Sequence, residues 1–166
     1  MNHTYIIAFW SLSPINSRRF CMDFFASSLK PFGDIQCLDC GNRQDRRTVQ
    51  LLHQADLVVI ALQQSHREIC DLFCKNTLRF SNCIYLIVDY YPDREFDLVK
   101  IAFEFRIPLS RLACIPYHPG RRDLFPGEEP AKNQTGGTVL RSGRGRPGFC
   151  RELYRARRVM LQALGF

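Results

Sequence analysis

Asp39 is the residue whose type and position are best suited to chemistry. It closes the apolar run Ile35-Gln36-Cys37-Leu38 and is followed by Cys40-Gly41-Asn42. A carboxylate at the carboxyl end of a buried strand, followed by a glycine turn and a helix, is where open α/β sheets hold a metal ion or a polar ligand. Asp89 closes a second run, Ile84-Tyr85-Leu86-Ile87-Val88, in the same way; Gln63 follows a third run and Pro116-Tyr117 a fourth. If these runs are parallel neighbours, Asp39, Asn42, Gln63, Asp89 and Tyr117 line one edge, and a ligand bound there meets them.

Other chemistry is thin. His3, His53, His66 and His118 are scattered, and no Ser or Cys nucleophile pairs with one of them by spacing. His66, at a helix start, and His118, after the last strand, are placed to face the same edge, although an ordinary surface role is the commoner one. The eight cysteines fall mostly inside apolar runs, which favours free buried thiols over a disulfide framework. Cys37 and Cys40 form a C-x-x-C across a strand end, where their side chains should diverge. Cys70 and Cys74 share a helical face but supply only half of a structural zinc site.

These residues need elements to position them. Tyr5 to Trp10 reads as a strand, and Ser13-Pro14 as cap and first residue of a helix running to about Leu29. The strand to Asp39 follows, then a surface helix from Arg43 to Gln54 with Val49, Leu51 and Leu52 on its apolar side. Asp56 to Leu62 is a fully buried strand. Ser65 caps the next helix, with Glu68 at capping-box spacing and Ile69, Leu72, Phe73 and Leu78 as its buried stripe. After the strand at 84–88, residues 95–106 are amphipathic through Phe96, Val99, Ile101, Ala102 and Phe105, and Leu112 to Ile115 is a fifth strand ended by Pro116. Alternating strands and helices with continuous apolar strands predict an α/β fold: a mostly parallel sheet of about five strands, helices on both faces.

The chain divides into 1–118, the α/β domain; 119–148, a Gly/Pro/Arg-rich loop or unfolded insertion; and 149–166, a helix that docks Leu153, Ala156, Val159, Met160, Ala163 and Leu164 on the sheet. Its length suits one domain. No run spans a bilayer and the start lacks secretory features, so a cytoplasmic protein with no transmembrane segment is expected. Of the net charge of +7, residues 119–166 contribute 10 Lys/Arg against 4 Asp/Glu. Arginines from Arg141 to Arg158 could neutralise phosphates of nucleic acid or of an anionic membrane surface, or simply solubilise the tail.

Asp39-Cys40-Gly41-Asn42, the Ala55-Asp56-Leu57-Val58-Val59 strand with Gln63-Gln64-Ser65, the Leu86-Ile87-Val88-Asp89 strand, and Ile107-Pro108 with Cys114-Ile115-Pro116-Tyr117 together resemble the second half of MinD/ParA-type P-loop ATPases over roughly residues 33–118. The resemblance implies a P-loop NTPase-like fold, ATP with magnesium as cofactor, a Walker B role for Asp39 in ordering the magnesium and the attacking water, and a base-contacting role near Asp89, Pro116 and Tyr117. Asp89 stands where the family usually has Asn. It also implies a homodimer or a protein partner, in positioning, partitioning or pilus and secretion assembly.

The departure from the family lies in Trp10-Ser11-Leu12-Ser13-Pro14-Ile15-Asn16-Ser17-Arg18-Arg19, the segment in the place of the phosphate loop, which has neither Gly nor Lys. A phosphate cradle needs glycines so that backbone amides converge, and a lysine for the β- and γ-phosphates. The interval from the first strand to Asp39 is also short for the family. The expectation is therefore a noncatalytic or degenerate ATPase domain serving as a regulatory or interaction module. The alternatives are an active ATPase and a basic-tail nucleic-acid-binding protein. A phosphoacceptor receiver is set aside, because Trp10-Ser11 and Pro116-Tyr117 replace its paired acids and its lysine.

Overall fold

A computed structural model describes residues 3–76, 78–117 and 147–166. Five parallel strands, β1 (Thr4–Ser11), β2 (Asp34–Asp39), β3 (Leu57–Gln63), β4 (Cys83–Tyr90) and β5 (Leu112–Pro116), form one sheet in the order β2-β1-β3-β4-β5. Five helices join or follow them: α1 (Arg18–Leu29), α2 (Arg46–Gln54), α3 (His66–Lys75), α4 (Leu98–Glu104) and α5 (Pro147–Leu164). The α/β class and the parallel sheet read from the sequence are what the chain adopts.

Strand alternation divides the core in two. Ile7 and Phe9 of β1, Leu57, Val59 and Ala61 of β3, and Ile84, Leu86 and Val88 of β4 face α1 and α5, meeting Cys21, Phe25, Leu29, Ala156, Val159, Met160 and Leu164. Ala8, Trp10, Val58, Ile60, Leu62 and Ile87 face the other way, onto Leu52 of α2, Ile69 and Leu72 of α3, and Leu98 and Ile101 of α4. Fully burying a large apolar side chain stabilises the fold by about 1.5–3 kcal/mol. That is why the central strands are apolar on both faces while β2, an edge strand, leaves Asp34, Gln36 and Asp39 exposed. Cys37 and Cys40 go to opposite faces, Cys37 toward α1 and Cys40 toward α2.

Several boundaries differ from the sequence reading. Helix α1 begins at Arg18, not at Pro14, because Ser13 spends its hydroxyl on Glu68 and Ile15 is buried, which holds 12–17 as a loop. Asp45 caps α2 through Thr48 N at 2.8 Å, so that helix starts at Arg46. In α4, capped by Asp97, Leu98 and Ile101 are buried, whereas Val99, assigned to the buried stripe, is 68% exposed. Helix α5 starts at Pro147, two residues early, as suits a proline at a first helical position. The remainder of the 119–148 segment, with His118, Arg141, Arg144 and Arg146, lies outside the described residues. No helix among the described residues is long and apolar enough to cross a membrane.

Candidate functional site

Parallel pairing puts all five strand ends, Ser11, Asp39, Gln63, Tyr90 and Pro116, on one edge. Strand order reverses between β1 and β3, since β1 connects outward to β2 and the chain returns past β1 to lay down β3 and then β4. In doubly wound sheets the ligand crevice opens at such a switch, outside the carboxyl ends.

Asp39 lies beside this point, and its partners are internal. Arg18 Nε donates to Asp39 Oδ1 at 2.7 Å and Nη2 lies 3.5 Å from Oδ2, while Nη1 donates to Ser11 Oγ at 2.9 Å. The Arg18 side chain is 16% exposed and that of Asp39 45%, so the guanidinium is the more enclosed partner. Gly41 N adds a third donor, 2.9 Å from Oδ1. Gly41 achieves this with φ of +66°, a left-handed conformation that costs glycine little. The backbone then closes the turn onto β1 through Ser11 N to Gly41 O and Cys40 N to Phe9 O.

A magnesium ion requires near-octahedral oxygen ligation without a competing cation in contact with the carboxylate. Around Asp39 the near groups are a guanidinium and an amide N–H, both donors. This set fits a fixed internal cation, not a magnesium ion. Among the described residues no group of three or more His, Cys, Asp or Glu side chains is arranged to hold a metal ion.

The loop after β1 is anchored across the switch. Ser13 Oγ donates to Glu68 Oε1 at 2.7 Å, and Glu68 Oε2 accepts from Gln63 N at 3.3 Å. Glu68 thus turns its carboxylate to Ser13 and Gln63 N, while Ser65 Oγ accepts from Glu68 N at 3.4 Å to cap α3. Ser17 Oγ donates to Asp89 Oδ2 at 2.5 Å. Asp89 has φ of 55° and sits at an irregularity in the β4–β5 register between Val88 and Tyr90. A non-glycine residue in the left-handed region carries a conformational cost. Here its carboxylate meets the loop after β1. The crevice that a ligand would need is spanned by the chain's own side chains.

No family model, no curated protein and no solved structure matches the chain.

On the far side of the edge, Gln64 fixes the loop between β4 and α4: Nε2 donates to Tyr91 O at 3.1 Å and to Phe96 O at 2.8 Å, and Oε1 accepts from Tyr91 N at 2.9 Å. Tyr91 stacks on Tyr117, centroids 4.9 Å apart, with the Arg94 guanidinium 4.6 Å from the Tyr91 centroid. Pro116 is buried in β5, and Tyr117 N bonds Tyr90 O at 2.9 Å. Of the residues anticipated at the edge, then, Asp39 is engaged by Arg18, Asp89 by Ser17, Tyr117 by Tyr91, and Gln63 through its backbone by Glu68. Asn42 is exposed in the turn beyond Asp39. Arg18, Ser17, Glu68 and Gln64 complete the network and were not among those anticipated. Arg18 and Glu68 did carry a signal, as charged residues in the first turn of a helix entering from this edge.

One cluster elsewhere has catalytic residue types. His66 Nε2 lies 2.5 Å from Glu104 Oε1, and Cys70 Sγ lies 3.6 Å from Nδ1 and 3.9 Å from Nε2 of the same ring. Near-equal distances to both nitrogens keep the sulfur off the lone-pair direction of either one, which a proton transfer needs. Desolvation raises the Cys70 thiol pKa, with Cys74, Glu104 and Asp71 adding to the shift. An activated nucleophile needs the opposite shift. The ring packs against Phe96 and Phe105, a structural contact. Two surface clefts, one along Ala102 to Pro108 and one on α5, include none of the strand-end residues.

Proposed function

We propose that this chain is a noncatalytic α/β module of MinD/ParA-like character, P-loop NTPase-like in plan, that acts by binding partners and not by hydrolysing ATP. The observation that carries this reading is the Arg18–Asp39 pair. In an ATPase of that type the strand-end acid works on magnesium and water, and the lysine of the phosphate loop meets the nucleotide. Here β2 lies directly beside β1, so the acid and the loop are side by side as such chemistry requires, but the cation in contact with the acid belongs to the protein. The loop has no glycine to open an amide cradle, and its Ser13 and Ser17 are committed to Glu68 and Asp89. Val99 and Phe103, 68% and 88% exposed on α4, and Leu109 after it, supply apolar surface of the kind that protein partners cover.

The test is a calorimetric titration of the chain with ATP and with ADP, each with and without magnesium. The reading expects no saturable heat up to millimolar nucleotide. Magnesium-dependent binding, and phosphate release that Asp39→Ala abolishes, would replace it with an active ATPase.

A further inference from the structure

We infer that the solvent face of α5 is a binding surface for single-stranded nucleic acid, with Arg151, Arg155 and Arg158 holding phosphates and Tyr154 stacking on a base. Helix α5 carries four arginines and one glutamate. Its apolar side is consumed by the sheet, where Ala156, Val159, Met160 and Leu164 are buried. What remains outward is charge and one aromatic ring: the Arg151 side chain is 81% exposed, Tyr154 is 69% exposed, and Arg158 is exposed. Positions 151, 155 and 158 follow the i, i+4, i+7 spacing of a single helical stripe. A shallow cleft runs along them, lined also by Glu152 and Leu161.

Among the described residues, the acid beside these guanidiniums is Glu152. Glu152 lies 3.7 Å from both Arg151 and Arg155, beyond ordinary hydrogen-bonding distance, and its own side chain is 19% exposed. Glu152 Oε2 is also turned inward, accepting from Cys114 Sγ at 3.6 Å. Arg157 is different, for its guanidinium sits 4.9 Å over the Phe32 ring and belongs to the packing. Guanidiniums on one stripe suit phosphate oxygens, and an exposed ring among them gives any base a π-face. A membrane surface fits less well, because an interfacial helix inserts an apolar face and that of α5 is already buried.

The experiment is fluorescence anisotropy of the full chain with labelled 15-residue oligouridylate and oligothymidylate, with the corresponding duplex and phosphatidylserine-containing vesicles as comparison arms. Binding of at least one single strand is expected, with log K falling against log salt at a slope of about −2 for three phosphates at about 0.7 each. The triple substitution Arg151→Ala, Arg155→Ala, Arg158→Ala should weaken it at least ten-fold and flatten the slope. Tyr154→Ala should weaken it about five-fold or more with the slope retained. Arg151→Glu, at an arginine whose side chain is 81% exposed, serves if the triple variant does not fold, and should also weaken binding and flatten the slope. Failure of both single strands to bind, unchanged affinity in the variants, tighter binding to the duplex, or binding to vesicles alone would overturn the inference. None of these results depends on whether nucleotide binds at the strand ends.

Discussion

Arg18 and Asp39, 21 residues apart in sequence, form a charge-assisted pair of 2.7 Å between the first turn of α1 and the end of β2, and the same guanidinium reaches Ser11 at the end of β1. One side chain thus fastens the helix start to two adjacent strand ends. Arg18→Ala leaves the fully buried Ser11 hydroxyl without this donor and Asp39 without its cation. The expected loss is about 1–2 kcal/mol, within the range for a charge-assisted hydrogen bond after allowing for the exposed Asp39. Arg18→Lys should recover only part of it, since an ammonium cannot address both acceptors in a fixed fork. Urea unfolding of the three proteins measures this.

Gln64 satisfies three backbone groups of the loop between β4 and α4. Gln64→Glu keeps an acceptor for Tyr91 N but turns a carboxylate toward the Tyr91 and Phe96 carbonyls. It should therefore destabilise by about 1 kcal/mol, the low end of the cost of unsatisfied groups because these are only part-buried. Amide exchange in residues 91–97 should quicken more than elsewhere. Uniform exchange across the chain would mean that Gln64 does not hold this loop.

Phe25 is fully buried between Phe9, 6.0 Å away between centroids, and Phe24 at 5.0 Å. Phe25→Ala should cost about 3–5 kcal/mol, as large-to-small core changes do. Trp10 is the one tryptophan, fully buried with Nε1 donating to Arg43 O at 2.8 Å. Its emission should be blue-shifted in the folded protein and report the loss of stability directly in a urea titration.

All eight cysteines are free, with Cys74 and Cys150 exposed and Cys21, Cys40, Cys83 and Cys114 buried. A thiol reagent at neutral pH should modify Cys74 and Cys150 first and the buried four only on unfolding. Burial, helped by Asp23, pushes the Cys37 thiol up from 9.0 to about 11, and burial pushes Tyr85 from 10.0 to about 12. The folded state therefore holds these protons more tightly than the unfolded chain. Their contribution is fully present below pH 9 and is lost progressively toward pH 12. The urea midpoint should fall between pH 8 and pH 10.5; a constant midpoint would contradict the assigned burial.

The sheet was legible because four of its five strands are nearly continuous apolar runs, which have to be covered on both faces, and because Asp39 and Asp89 interrupt such runs at their ends. The partners of those acids were not legible. That Arg18 turns to Asp39, and Ser17 to Asp89 72 residues away, follows from strand order and loop path, which no local pattern encodes. Ser13-Pro14 has the chemistry of a helix start, yet the long-range bond to Glu68 and the burial of Ile15 override it. Val99 fits the apolar periodicity of its helix but lies on the exposed side, since it is Leu98, Ile101 and Ala102 that meet the core.

The central claim, that Arg18 stands in the cation's place at Asp39, is tested most directly by thermal denaturation of the wild type, Arg18→Ala and Asp39→Ala with millimolar ATP, with and without magnesium. The predicted result is a wild-type Tm that ATP and magnesium leave unchanged, together with a lowered Tm for Arg18→Ala. A magnesium-dependent rise in wild-type Tm that disappears in Asp39→Ala would contradict it.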